Sequence, residues 1–456
     1  MPHIPHTGLA LPYHRQADMT DRKHIASCEQ RAPLLGTCSP GMIGSVERSL
    51  DRLRRQPGYA RLYAAATLGR LSNEMVSVAV VLYVLDRTGS ASVAGATVAA
   101  VTLPSLISGP LLGGVIDRTR RRRRWLALDQ AVMCAGLVGI AATAGSGPDW
   151  VVPLIALVAG ITFPLSAGGF TSLITAFVPD ELLTRANALE ATSFNLAVIA
   201  GPALAGLVAT ASDPLTALLL QLGLKLGALL FTVRIRETPG GASAGGGQPL
   251  AGLVVAGFRH VLGTPSLLAI TTAGAVSMLG RGLLTIAFPL FAVDVLGARG
   301  GFAGFLWAAF AGGAVTGTLA LMRVQHRWAS ERVVLRAVGL AGVLMLTWPL
   351  ATAPPVALAL VATAGFVYGP GLAATFAVRQ DWTPPELQGQ VFMTAASLKV
   401  GSFALGAALA GLLAPDLGAR EILLLAAGAQ LAGFVLGAAL MRGGTRRRAV
   451  VSEPYG

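Results

Sequence analysis

The sequence is dominated by apolar stretches too long for a soluble core, separated by short polar connections. A helix needs about 20 apolar residues to cross the hydrocarbon layer, and runs of roughly 18 or more are read as membrane spans. Such stretches lie near 59–85, 91–116, 124–144, 150–178, 187–210 and 214–233. A second set lies near 265–293, 302–322, 332–351, 355–378, 390–413 and 421–441. Only 12% of the residues are charged, against about 25% in soluble domains. The pattern predicts an all-α integral membrane protein of about twelve transmembrane helices.

The net charge of +13 comes from 35 Lys and Arg against 22 Asp and Glu. A balance this basic can signal nucleic acid, but here the arginines gather between spans. Alternate connections hold Arg118, Arg120 to Arg124, Arg185, Arg234, Arg236, Arg259, Arg323, Arg327, Arg332 and Arg379, and the tail adds Arg446 to Arg448. The remaining connections hold only Arg87, Arg299 and Arg420. Positive loops stay in the cytosol, so both termini are expected there, in a cytoplasmic membrane. The expected partner of the basic surface is the lipid bilayer and not nucleic acid.

Residues 1 to about 48 carry no hydrophobic period, and the spacings of His3, His6, His14, His24, Cys28 and Cys38 match no zinc pattern. That tail is read as disordered, with no metal and no cleavable signal peptide, because no apolar segment follows Met1. Three cysteines give no disulfide framework, and Cys134 falls inside an apolar stretch. Ser49 to Arg61 is basic enough to lie along the cytosolic membrane surface. A Gly/Ser-rich break at Pro239 to Gly247 separates the two sets of spans, and Leu250 to Leu262 reads as a short amphipathic surface helix. The expected division is a tail (1–55), a six-helix bundle (56–235), a linker (236–263), a second six-helix bundle (264–442) and a basic tail (443–456).

The chain also repeats itself. Pro179-Asp180-Glu181-Leu182 is matched by Pro384-Pro385-Glu386-Leu387, an offset of 205. At the same offset Ala191 meets Ala396, Gly201 meets Gly406, and Ala203 to Leu207 meets Ala408 to Leu412. One gap-free offset that includes a polar entry sequence argues against chance similarity between Ala/Leu/Gly-rich helices. It predicts two bundles related by a pseudo-two-fold axis along the membrane normal.

Between the second and third spans stands Gly113-Gly114-Val115-Ile116-Asp117-Arg118, followed by Thr119 and Arg120 to Arg124. The spacing Gly-x-x-x-Asp-Arg-x-x-Arg-Arg is met by Gly113, Asp117, Arg118, Arg121 and Arg122. With the span count and the tandem halves, this resembles the loop 2–3 signature of major facilitator superfamily transporters, over nearly everything after residue 50. The resemblance implies the major facilitator fold, alternating access about a central site, and a monomer. It also implies a gate in which Asp117 meets the chain near Gln388 to Val391, where a carboxylate at a helix N-terminus gains about 0.3–1 kcal/mol. Arg123 and Arg124 are read as topology anchors. Gly317 to Arg323 keeps a faint echo of the signature, with Met322 in place of the acid.

Gly201-Pro202-Ala203-Leu204-Ala205-Gly206 resembles the Gly-Pro motif carried in the fifth helix by the superfamily's drug–proton antiporters, with Ala205 in place of a glycine. Gly201, Pro202 and Gly206 suit a bend or a tight interface, and plain helix packing remains the bland alternative. The Asp86-Arg87-Thr88-Gly89-Ser90 turn, Leu103-Pro104, and Ala186-Asn187-Ala188-Leu189 resemble the macrolide- and siderophore-exporting branch. The resemblance implies proton-coupled efflux of an amphipathic small molecule.

Ionisable residues inside spans face a cavity or a partner. Arg70, Asn73, Glu74 and Ser77 share one helix face, and that face is the candidate cavity lining; Arg70 and Glu74 can equally neutralise each other. Ser277, Arg281 and Thr285 form the corresponding stripe in the second half, and Lys225 and Lys399 are further cations at depth. Proton coupling calls for a carboxylate altered by burial, with Glu74 first and Asp129 second. Asp129 and Glu190 are placed nearer the cytosolic ends, as supports of the gate. The fourth span carries no charge between Trp150 and Val178, where the antiporters resembled here hold an arginine.

Other classes fit less well. A membrane-embedded transferase wants clustered acids for a divalent metal, and the chain has no Asp-x-x-Asp cluster. No phosphate-cradling loop is present either. The expectation is a transporter and not an enzyme, with no cofactor; an importer or uniporter of a small polar metabolite on the same fold is the alternative.

Overall fold

The computed structural model describes residues 52–53, 55–119, 121–235, 250–321, 327–384 and 387–451. Nearly all of the N-terminal tail with its histidines, most of the Gly/Ser-rich linker, and Met322 and Arg323 lie outside the described residues.

The first half runs through α1 (Tyr59–Thr88), α2 (Ala91–Thr102), α3 (Ser105–Arg118), α4 (Arg122–Thr143), α5 (Val151–Gly160), α6 (Phe163–Gly168), α7 (Ile174–Phe177), α8 (Asp180–Ala211) and α9 (Pro214–Val233). After α10 (Leu250–Gly263), the second half holds α11 (Pro265–Leu290), α12 (Phe302–Leu321), α13 (Ser330–Met345), α14 (Pro354–Asp381), α15 (Gln388–Leu413) and α16 (Ala419–Val451). Eleven helices among the described residues are long and apolar enough to cross a membrane. The twelfth expected span, near 150–178, is interrupted: α5 is followed by α6, a 3₁₀ turn at Thr171–Leu173 and α7. Pro164 and the pair Gly168-Gly169 account for the breaks. Leu103-Pro104 divides the second span in the same way.

The helices are inside-out relative to soluble ones. On α9, Gln221, Lys225 and Thr232 are buried while Leu219, Leu226 and Leu230 are exposed. That distribution suits a helix with lipid on one side and a polar interior on the other. Helix ends carry ordinary caps: Ser90 accepts from the Val93 N–H at the start of α2, and Asp213 accepts from that of Thr216 ahead of Pro214. Asp213 lies between spans, and those bonds from Thr216 hold its carboxyl below the usual range. On α10, Val255, Phe258 and Leu262 form one exposed apolar face, while Gly257 lies so near Gln390 that a Cβ there would stand 2.7 Å from the glutamine Cβ.

The chain repeat reappears as packing. Ser72 Oγ donates to the Gln221 carbonyl, and Gln221 Nε2 donates to the Ser72 carbonyl, locking α1 to α9. In the second half Gln430 Nε2 donates to the Ser277 carbonyl at 3.1 Å, locking α16 to α11. Ser72 and Ser277 stand at the repeat offset. Gly201 packs on α1 and Gly406 on α11, again at equivalent positions.

The two bundles meet where α8 packs on α12 and α15 on α2. Both seams are built on glycine: a Cβ on Gly206 would stand 2.5 Å from the Gly304 Cα, and one on Gly95 would stand 2.8 Å from the Gly411 Cα. Small residues let helix backbones approach this closely in lipid. Ser92 Oγ donates to the Gly411 carbonyl at 2.8 Å, and Arg299 Nη1 donates to the Thr210 carbonyl at 2.6 Å. These contacts close the end of the molecule that bears the α1–α2, α8–α9, α11–α12 and α15–α16 connections.

Overpacking such a contact costs about 1–3 kcal/mol. Gly411→Val should therefore weaken this closure and lengthen the distance between spin labels at Ser90 and Asp416. An unchanged distance distribution would mean that the glycine contact does not hold the end shut.

Candidate functional site

The interrupted fourth segment places Ser166 inside the first bundle, against two adjacent polar residues of α4. Asp129 and Gln130 are both fully buried. Ser166 Oγ donates to Asp129 Oδ2, and Gln130 Nε2 donates to the same oxygen at 2.9 Å and to Ser166 Oγ at 3.0 Å. Lys225 reaches in from α9, its Nζ donating to Asn73 Oδ1 at 2.7 Å and to Ser166 Oγ at 3.4 Å. Ser166 thus bridges a buried cation and a buried anion, which is how a membrane interior tolerates both. Asp129 Oδ1 has no hydrogen-bond partner.

A second ionic group joins α1 to α8. Arg70 is 3% exposed and pairs with Glu190, not with Glu74. Its Nη1 donates to Ser193 Oγ at 2.7 Å, Thr171 Oγ1 donates to Glu190 Oε1 at 2.7 Å, and the guanidinium lies 5.6 Å from the Phe194 ring centroid. Helical spacing placed Arg70 and Glu74 on one face, but neighbouring helices decide which partner each finds. Arg70 turns to α8, and Asn73, one turn on, turns to α9.

Glu74 is left at the centre. The residues i−4 and i−1 from it are engaged, Ser77 donates only to the Glu74 carbonyl, and no donor among the described residues reaches the Glu74 carboxylate. Its backbone and Cβ pack against Gly201 of α8. The charge that bears on the carboxylate is Arg281 of α11, in the opposite bundle. Arg281 in turn lies 5.6 Å from the centroid of Trp307 and 5.5 Å from that of Phe310, both on α12. One carboxylate, one guanidinium and two buried aromatic rings thus stand on the two sides of the bundle interface.

The remaining expected residues fall elsewhere. Ser277 is buried with its Oγ 3.5 Å from the Tyr368 hydroxyl, so it serves the α11–α14 contact, and buried Thr285 bonds its own helix at the Gly282 carbonyl. Lys399 of α15 lines a small cavity with Gly274, Tyr368, Gly371 and Thr375. Pro202 lies inside the continuous helix α8, with its carbonyl against Gly304. Gly113, Asp117 and Arg118 sit in the last turns of α3, but their side chains lie outside the described residues. Arg121 caps α4 and is exposed, and Arg122 opens that helix. Ser166, Gln130 and Glu190 matter more than the sequence pattern indicates. The signal for the first two was a polar pair in an apolar span facing a Gly/Pro-broken one. Arg379, expected in a connection, is a buried residue of α14 with its guanidinium 5.6 Å from the Phe392 centroid.

The family model for the Major Facilitator Superfamily matches residues 62–394 and 270–454. The chain belongs to the Major Facilitator Superfamily. It is 30% identical to the multidrug efflux pump Tap of Mycolicibacterium fortuitum over 386 residues, covering 81% of this chain and 92% of that protein. It is 29% identical to an uncharacterized MFS-type transporter, y4rN, of Sinorhizobium fredii, covering 80% and 89%. A crystal structure of the nucleoside transporter NupG superposes with a TM-score of 0.69 at 12% identity, over 84% of this chain and 99% of that one. At that identity the likeness concerns the fold. This superfamily member is thus a multi-pass membrane transporter and not an enzyme, in agreement with the two-bundle architecture expected from the repeat.

Removing one partner from a buried ion pair costs about 3–5 kcal/mol, whereas replacing both by apolar residues does not. Glu190→Gln should lower the thermal midpoint of the purified transporter, and Arg70→Met combined with Glu190→Leu should recover most of the loss. A wild-type midpoint for Glu190→Gln would show that the pair contributes nothing to stability.

Proposed function

We propose that this transporter exports amphipathic small molecules across the cytoplasmic membrane by alternating access, as a monomer with both termini in the cytosol, and that protons drive it. The observation that carries the reading is the Glu74 carboxylate: it lies between the bundles, faces Arg281, and is free of the hydrogen bonds that tie down Glu190 and Asp129. A carboxylate in that position can take up a proton and so switch off the charge it presents to Arg281. Protonation neutralises Glu74 and so weakens its attraction for Arg281 across halves that must rock apart. The aromatic rings of Trp307 and Phe310 supply an apolar wall for the cargo. Similarity to Tap over most of both chains supports efflux as the direction.

In this scheme Arg70, Asn73 and Lys225 hold the first bundle's interior in one arrangement, and Ser77 and Ser277 flank the central helices. Gly113, Asp117, Arg118, Arg121 and Arg122 are proposed as the cytosolic gate. Gly201, Pro202 and Gly206 would let α8 follow α1 on one side and slide on α12 on the other.

Inverted vesicles carrying the transporter, given a panel of labelled amphipathic compounds, test the scheme directly. Accumulation under an acid-inside gradient, collapsing with an uncoupler, is the expected result. Glu74→Gln should lose gradient-driven accumulation by at least about a hundredfold, the scale on which positioned proton-transfer groups act, while still inserting into the membrane at wild-type levels. Undiminished gradient-driven efflux by Glu74→Gln would remove the carboxylate from the mechanism, and equilibration indifferent to the gradient would make the protein a uniporter.

A further inference from the structure

We propose that the cleft between α14 and α15 in the second bundle is an anion-binding site, taking one singly charged anion, either a carboxylate of the cargo or a free halide. The argument starts from helix spacing. Gly371, Thr375 and Arg379 follow one another at i, i+4 and i+8 on α14, so they form one stripe. Gly371 and Thr375 line the small cavity that Lys399 enters from α15. Arg379, one turn beyond, lays its guanidinium over Phe392 of α15. Phe392 and Lys399 are seven residues apart, hence on one face of that helix. The stripe of α14 that carries Arg379 therefore faces the stripe of α15 that carries Lys399.

Among the described residues neither cation has an acceptor. Arg379 is 4% exposed, and its Nε and Nη2 make no hydrogen bond. Lys399 lies against α11 so closely that a Cβ on Gly274 would stand 2.9 Å from its Cε, and no acceptor among the described residues meets its Nζ. The charges that bear on Lys399 are Arg379 and Arg281, both of its own sign. Arg281 has Glu74 across the interface. Glu331, the acid on α13, is taken by the indole N–H of Trp382 at 2.6 Å, and Asp381 at the end of α14 is exposed. Among the described residues, Lys399 in the cavity and Arg379 one turn beyond it have no counter-ion.

Membrane-buried charges pair, and leaving them unpaired is costly. A lysine can escape the cost by shedding its proton; an arginine cannot. The first bundle shows the contrast, since Arg70 and Lys225 each meet a carboxylate or its bridging serine. What the second bundle lacks from the protein, an anion supplies. Lys399 gives it a point charge, Arg379 a planar donor set, and Tyr368 and Thr375 a polar wall.

The test uses the full chain, purified in detergent, in sodium sulfate at constant ionic strength. The probes are sodium chloride and sodium benzoate, and the readout is the thermal midpoint, which rises with any ligand that binds the folded state. A saturable rise is expected in the wild type. Lys399→Met and Arg379→Met should each weaken the apparent affinity about tenfold, the effect of losing one charge-assisted contact, and Lys399→Arg should retain it. Taking an uncompensated cation out of the interior does not weaken the empty protein, so both apolar variants should fold. A rise with benzoate alone assigns the site to a cargo carboxylate, and a rise with chloride assigns it to a free halide. No saturable rise with either probe, or the same affinity in wild type and both apolar variants, would overturn the proposal. The cargo assignment rests on the transport reading, but the midpoint reports binding without transport, so either idea can fail without the other.

Discussion

A charge held in the hydrocarbon layer must find its opposite, and the interior of this transporter is arranged around that requirement. In the first bundle the demand is met twice. Arg70 takes Glu190 within a shell of Ser193 and Thr171, and Lys225 is joined to Asp129 through Ser166, with Asn73 and Gln130 completing the set. Each group ties helices together: α1 to α8 in one case, and α4 to the broken fourth segment and to α9 in the other. Ion pairs of this kind add little net stability compared with apolar packing. What they add is a fixed arrangement, since Arg70 and Lys225 each meet partners held on other helices.

Between the bundles the dominant material is different. Gly206 against Gly304 and Gly95 against Gly411 bring backbones together without side chains in the way. Contacts of this sort are close but shallow. They rest on dispersion and on two side-chain bonds to carbonyls, from Ser92 and Arg299, and not on an ionic lock. A seam built this way can part and re-form at small cost, provided each bundle moves as a body, and the ionic groups inside the first bundle supply that rigidity.

Much of this was legible in the sequence, and the reasons differ by feature. The spans were legible because lipid imposes length and apolarity on a helix regardless of its neighbours. The repeat was legible because Gly201, Gly206, Gly406 and Gly411 must stay small wherever helices meet, so packing left its mark on residue type. The fourth span misled, since its hydropathy is that of a helix while Pro164 and the Gly168-Gly169 pair decide its backbone. Partner choice was not legible at all. Arg70 stands one turn from Glu74, yet its partner is Glu190 on another helix, and no local pattern encodes which of two carboxylates a guanidinium meets across a bundle. Arg379 was lost for a related reason: a cationic residue near the end of a span reads as a loop anchor until the neighbouring helix is seen to cover it.

The repeat also isolates what is special about the centre. At its offset of 205, Glu74 corresponds to Leu279, Arg281 to Val76 and Asn73 to Met278. The frame is symmetric, but the central charges are not; each half contributes one ion where the other has a hydrocarbon side chain. A pair assembled from two bodies in this way is sensitive to their relative position, which a pair within one body is not. Swinging a two-state equilibrium from one extreme to the other takes about 5.5 kcal/mol. A proton on Glu74 removes one attraction between the halves, which biases the proposed rocking without committing it. The remainder must come from a ligand that prefers one state, which is the role a cargo gripped between the aromatic wall of α12 and the two halves would play.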